Sequence, residues 1–195
     1  MDRYVDEDWA LEEIERQEYE ECEFLDVDLT EATLTGCTFT RCRFTAVKFN
    51  AATLTRCAFL QSEIRRCSFF DATFDDCKLT GTQFVECELR PMHVNGGDWS
   101  YVVLRGEDLT GAKLAGLRLR EADLTETVLD RADLTRTDLS YANLHHTRLA
   151  GADLRGATLD GVALRGLDLS GVTIDVEQAI AFAMAHGATV GGSKR

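Results

Sequence analysis

Residues Ala122–Leu154 read ADLTE TVLDR ADLTR TDLSY ANLHH TRLAG ADL. Leucine returns at every fifth position (Leu124, Leu129, Leu134, Leu139, Leu144, Leu149, Leu154), and a small residue stands two places before most of them. Extended in both directions the count does not slip. A large apolar side chain occupies every fifth residue from Phe24 to Ile174, 31 consecutive positions. A period of five is neither the 3.6 of a helix nor the 2 of a strand, so the chain is first of all an internal repeat.

In extended chain, residues two apart share a face. The large residue and the small one before it therefore point inward together, the residue between them points out, and the last two of each five make a corner. Glycine supports that corner: 11 of the 15 glycines fall on the last position, Gly36, Gly81, Gly106, Gly151 and Gly171 among them, where a tight turn favours it. The number of corners per turn shows in a longer repeat. Cys22 precedes Cys42, Cys37 leads to Cys57 and Cys77, Cys67 leads to Cys87, and Ala32, Ala52 and Ala72 recur likewise, all at steps of twenty. Twenty residues per turn means four faces, a square solenoid. At about 4.8 Å between neighbouring strands, these repeats predict just under eight coils and a rod of roughly 37 Å.

All seven cysteines occupy the small inward slot, interchangeably with alanine, and no CxxC occurs. They read as small buried hydrophobes rather than as disulfide or metal ligands. His93, His145, His146 and His186 show no metal spacing, and no nucleophile–base pattern stands out. The expectation is a protein with no cofactor, no metal and no catalytic residues.

The ends are expected to differ from the coil. Residues 1–18 hold the run EDWALEEIERQE, which keeps the phase through Trp9 and Ile14 but would put Glu7, Glu12 and Gln17 in the inward slots. Charged groups do not enter a narrow apolar core, so this segment is expected to be an acidic helix or loose arm, with the β-helix spanning 19–174. For 175–195 a terminal helix and tail are expected. Asp175 with Gln178 suits a capping box and Gly187 a helix stop. Val176, Ala179, Ile180, Ala183 and Met184 would close the core, leaving Phe182 with Ala181 and Ala185 for a contact between chains. Between the halves, Pro91, Met92, Gly96, Gly97, Trp99 and Glu107 break the small-then-large rule without losing count.

The motifs ADLTE, ADLTR, ANLHH and ADLRG resemble the pentapeptide repeat family, over roughly residues 20–174. The resemblance implies an all-β, right-handed quadrilateral β-helix. The segment CELRP and the terminal DVEQAIAFAMAHG resemble the mycobacterial fluoroquinolone-resistance branch of that family. What that implies is a cytoplasmic homodimer joined through its C-terminal helices, which mimics duplex DNA and binds DNA gyrase in its place. Gyrase would be inhibited and at the same time protected from quinolones. Self-immunity against a gyrase-targeting toxin, or a repeat scaffold for another basic protein, are the alternatives.

Charge fits such partners. The net charge is -13 with a pI near 4.7, which argues against direct nucleic-acid binding and for a basic partner. No apolar run is long enough for a membrane span and no secretory leader is apparent, so the cytoplasm is the expected compartment. Residues 1–21 carry ten acids and two arginines, while the remainder has a net charge of only -5. B-DNA 37 Å long carries about 22 charges, so mimicry requires acids gathered on one side. The candidate strip is Asp108, Glu121, Asp123, Glu126, Asp130, Asp133, Asp138, Asp153 and Asp168. The competing assignment is that an aspartate before the centre bonds its own corner amides.

Overall fold

Each coil of the chain lends its backbone to the next at a step of twenty residues. The computed structural model describes residues 2–191, and its strands are β1 (Arg3–Val5), β2 (Glu13–Glu15), β3 (Glu18–Glu20), β4 (Glu23–Leu25), β5 (Thr33–Thr35), β6 (Thr38–Thr40) and β7 (Arg43–Thr45). After them come β8 (Thr53–Thr55), β9 (Ala58–Leu60), β10 (Glu63–Arg65), β11 (Ala72–Asp75), β12 (Gln83–Val85) and β13 (Met92–Asn95), and the helix α1 (Val176–Ala185). They form three parallel sheets ordered β1-β4-β7-β10-β12, β2-β5-β8-β11-β13 and β3-β6-β9. Registers such as Tyr4↔Phe24 and Ile14↔Leu34 hold the twenty-residue step. Single bridges Asp8↔Asp28↔Lys48↔Ser68↔Glu88 make the fourth face, and bridges at the same step continue to Asp153↔Thr173.

The coil starts earlier than the sequence led us to expect. Residues 7–18 are neither helix nor arm: β1, β2 and β3 pair with β4, β5 and β6, and Trp9 and Leu11 donate to the carbonyls of Asp28 and Thr30 at 2.8 and 3.0 Å. Glu7, Glu12 and Gln17 do occupy inward slots, but in a terminal coil those slots open to solvent and all three are exposed. Residues 3–173 at twenty per coil give about eight and a half coils, a rod about 41 Å long at the usual strand spacing.

Stacking in register forces like onto like. Tyr4, Phe24 and Phe44 stack with centroids 4.9 and 4.6 Å apart, and Tyr19, Phe39 and Phe59 at 5.0 and 4.7 Å, separations at which offset aromatic pairs attract. The volume exchange at Gly97 is enforced by backbone. A Cβ there would lie 2.3 Å from the Cys77 carbonyl oxygen, while Trp99 fills the core beside it, 1 % exposed.

Two kinds of corner explain why cysteine dominates one half and alanine the other. At most corners the inward small residue donates its N–H to the preceding centre three residues back, as Ala32 does to Leu29 and Ala132 to Leu129. At the others that N–H has no such acceptor, and all seven cysteines sit there. The side chain one coil on can take the N–H instead: Ser62 Oγ accepts from Cys42 N–H at 3.0 Å, and the Glu107 carboxylate accepts from Cys87 N–H at 3.2 Å. Cys57 Sγ also donates inward to Leu34 O at 3.4 Å, and Ser62 Oγ to Phe39 O at 3.1 Å. All seven thiols are unpaired, and burial pushes Cys42 and Cys87 up to about 11, which keeps those two as neutral donors. A small side chain that can also hydrogen-bond suits this slot, and Val27 and Val47 fill it by packing alone.

The C-terminal end is closed by α1. Gln178 N–H donates to Asp175 Oδ1 at 2.9 Å and Asp175 N–H to Gln178 Oε1 at 3.0 Å, the expected capping box. Gln178 Nε2 then donates to the carbonyls of Leu154 and Ala157 at 2.5 and 2.9 Å, standing in for the coil that would come next. This pins the helix the other way round from the sequence expectation. Gln178 and Phe182, one turn apart, are buried, whereas Val176, Ile180 and Met184 are 75 %, 38 % and 59 % exposed. Ala181 is exposed and Ala185 half-buried. Residues 192–195 of the expected tail, like Met1, lie outside the described residues.

The corner argument is testable at Ser62. Ser62→Ala leaves the Cys42 N–H without its acceptor and should cost about 1–2 kcal/mol, read by thermal unfolding, whereas Ser62→Cys should cost less. Equal losses would contradict the acceptor role.

Candidate partner-binding surface

The candidate acids stand where the repeat puts them, immediately before a centre or at a corner, and they do not form one strip. Asp123 and Glu126 flank the Leu124 column, Asp108, Asp130 and Asp168 the Leu129 column, Asp133 and Asp153 the Leu134 column, and Asp138 and Glu121 the Leu139 column. Asp133 and Asp153 do stack one coil apart. The rest wind round all four faces with the chain.

Most of them also serve the fold. Asp108, Asp123 and Asp133 each accept from a threonine N–H two residues on, at 2.9, 3.1 and 3.0 Å, and from its hydroxyl at 2.6, 2.6 and 2.7 Å. Asp138 and Asp168 accept from Ser140 and Ser170 N–H. Asp153 takes Arg155 N–H at 3.1 Å and its guanidinium at 2.6 Å. Further cations approach from neighbouring coils: Arg105 to Asp123 at 2.6 Å, Arg90 to Asp108, Arg148 to Asp130. Glu121 accepts from the Tyr101 hydroxyl at 3.1 Å, and Glu126 lies at a corner with φ of 59°. Burial opposes ionisation of Asp123, but the Thr125 hydroxyl and the Arg105 guanidinium outweigh it and hold the carboxyl below the usual carboxylate range. The guanidinium of Arg155 does the same for Asp153.

Two features escaped the sequence reading. The ten acids of residues 1–21 belong to the rod itself, as its first coil; the phase of Trp9 and Ile14 was the available signal. Glu107 fills an inward slot at 5 % exposure with its carboxylate accepting Cys87 N–H at 3.2 Å. It lines a recess shared with Gln83, Arg105, Asp108 and Asp123, and burial raises its pKa. Of the expected chain-to-chain contact, Phe182 is withdrawn beneath the rod end. Among the described residues, no group of three or more His, Cys, Asp or Glu could hold a metal ion, and no helix is long and apolar enough to cross a membrane.

A carboxyl whose pKa is raised by folding weakens the fold once it ionises. Glu107→Gln should therefore raise the melting temperature at pH 7, and the gain should fade as the pH drops through about 4.3 and vanish at about pH 3, where the wild-type carboxyl is protonated in both states. A variant less stable at pH 7 would contradict this.

The structure resembles that of a trypsin-treated variant of QnrB1, a plasmid-mediated fluoroquinolone resistance protein. The TM-score is 0.85 and the identity 22%, over 98% of this chain and 99% of that one. Full-length QnrB1 matches with a TM-score of 0.82 at 21% identity, over 95% and 97%. The comparison with curated proteins gives no match. The family model described as Pentapeptide repeats matches in eight copies, over residues 22–59, 103–140 and 137–174. The chain belongs to the pentapeptide repeat family, and its fold is that family's quadrilateral β-helix.

Proposed function

We propose that this chain is a cytoplasmic, Qnr-like and MfpA-like binding protein rather than an enzyme. It occupies DNA gyrase in place of duplex DNA, inhibiting the enzyme and shielding it from fluoroquinolones. The observation that carries the reading is the distribution of charge on a straight-sided rod. Duplex DNA is negative all round, and here Asp123, Asp130, Asp133 and Asp138 succeed one another on four faces as the chain turns. The strip envisaged from the sequence is thus replaced by a winding pattern, which is closer to the charge of a duplex. A net of -13 over about 41 Å is still well below the roughly 24 charges of B-DNA of that length, so the attraction is coarse and salt-sensitive. Self-immunity against a gyrase-targeting toxin would use the same contact; a scaffold for another basic protein would not.

Titration of DNA supercoiling by purified gyrase tests this. Inhibition at low micromolar protein, weakened at higher salt, is expected. Changing Asp123, Asp133, Asp138 and Asp153 together to Asn retains an Oδ1 for the corner amides, so the melting temperature should change little while inhibition falls at least tenfold. No inhibition by the folded wild-type chain would favour the scaffold reading.

We further propose a homodimer through α1, using the exposed face of Val176, Ile180 and Met184 instead of Phe182, Ala181 and Ala185. Their spacing of four gives one continuous apolar stripe. Ile180→Glu should yield a folded monomer by sedimentation. Phe182→Ala should instead uncap the rod, at a cost of about 3 kcal/mol in thermal unfolding. Dimers unaffected by Ile180→Glu would overturn the assignment.

A further inference from the structure

The two ends of the rod are treated differently. At the C-terminal end, Gln178 donates to the carbonyls of Leu154 and Ala157, and Phe182 is buried beneath the helix. At the other end β1, β2 and β3 are each the terminal strand of their sheet, and nothing among the described residues covers them. Their outer edges present backbone groups of the kind that every later coil has paired. The core beneath ends in Tyr4, Trp9, Ile14 and Tyr19, which are only half-buried, and Trp9, Ile14 and Tyr19 line a shallow hollow with Glu12. An open edge beside an apolar floor is a template for one more strand.

We infer that the outer edge of β2 is a docking site for an extended, basic segment of another protein, added as a parallel strand in the register of the coil. The register dictates the chemistry of the segment. In each paired coil the outward residues stack in columns, Glu13 over Thr33 and Glu15 over Thr35, with Ile14 over Leu34. An added strand would place two outward side chains on Glu13 and Glu15 and one inward side chain on Ile14. Basic–apolar–basic is the complementary triplet. Among the described residues Glu13 and Glu15 take part in no ion pair, and neither threonine below them offers a charge, whereas Glu20 and Glu21 of β3 and its corner already hold Arg41 at 2.5 and 3.0 Å. The same coil-to-coil pairing of cation on carboxylate occurs at Arg3 and Glu23, 2.5 Å apart. A second copy of this chain does not fit: residues 1–21 carry a net of -8, and end-to-end stacking would oppose two such surfaces. This site is separate from the winding acids of the proposed gyrase contact.

The test uses the full chain and a fluorescein-labelled nine-residue peptide of alternating lysine and valine, followed by anisotropy and by Trp9 emission. Saturable binding is expected, with a change in tryptophan emission that disappears in Trp9→Phe. Glu13→Gln combined with Glu15→Gln should weaken binding at least tenfold. Methylating alternate backbone nitrogens of the peptide should do the same with the protein unchanged. Equal binding by the N-methylated peptide, or by the Glu13→Gln/Glu15→Gln chain, would overturn the site and leave only diffuse attraction to an acidic rod. So would an Ile180→Glu chain that still sediments as a dimer with Trp9 protected, which would assign the edge to a second copy.

Discussion

The backbone ladder between successive coils is the constraint on which everything else rests. Donors such as Leu29, Ala51 and Leu134 reach carbonyls nineteen residues on, those of Lys48, Phe70 and Asp153, at 2.7–2.9 Å. Alternate donors reach back twenty-one residues, as Thr33 does to Glu12 and Asp133 to Ala112, and together the two steps stack each side chain on the one twenty residues away. The core must then be a set of columns, and the sequence must repeat. Ring stacking, thiol columns and the small-then-large alternation follow from it. A corner that keeps its own turn bond tolerates alanine, whereas the cysteines gather at corners that lack it.

Much of this was legible beforehand because it is periodic. The five-residue pattern fixes inside and outside, the twenty-residue recurrence fixes four faces, and the pair Asp175 and Gln178 marks the helix start. What failed were places where a local rule met an end. Glu7, Glu12 and Gln17 break the inward-apolar rule, yet the rule holds only for a slot with coils on both sides, and theirs has one. Within α1, counting apolar residues pointed Val176, Ile180 and Met184 inward. The carbonyl of Ala157 has no backbone donor among the described residues, and Gln178 supplies one while also reaching Leu154, carrying Phe182 inward with it. The unsatisfied backbone group outweighed the larger apolar face.

The candidate surface was legible in residue type but not in arrangement. An aspartate before each centre is visible in the sequence, whereas its division between corner support and partner contact depends on which arginine lies one coil away. Asp123, Asp130 and Asp153 are each shared with a guanidinium, so the negative field of the second half is softened where it was expected to be strongest. The least neutralised acids lie in the first coil, where few cations interleave. Charge along the rod is therefore graded from a strongly acidic open end to a weakly acidic capped end, which gives a partner both a direction and a register.

The most direct measurement of the account is amide hydrogen exchange across residues 3–21. A first coil in register predicts slow exchange at Trp9, Leu11, Arg16 and Glu21, whose N–H groups donate to the second coil. It predicts fast exchange at Glu13 and Glu18, whose N–H groups lie on the open edge. Uniformly fast exchange over the whole segment would mean that the rod begins later, and would remove both the acidic first coil and the docking edge from the account.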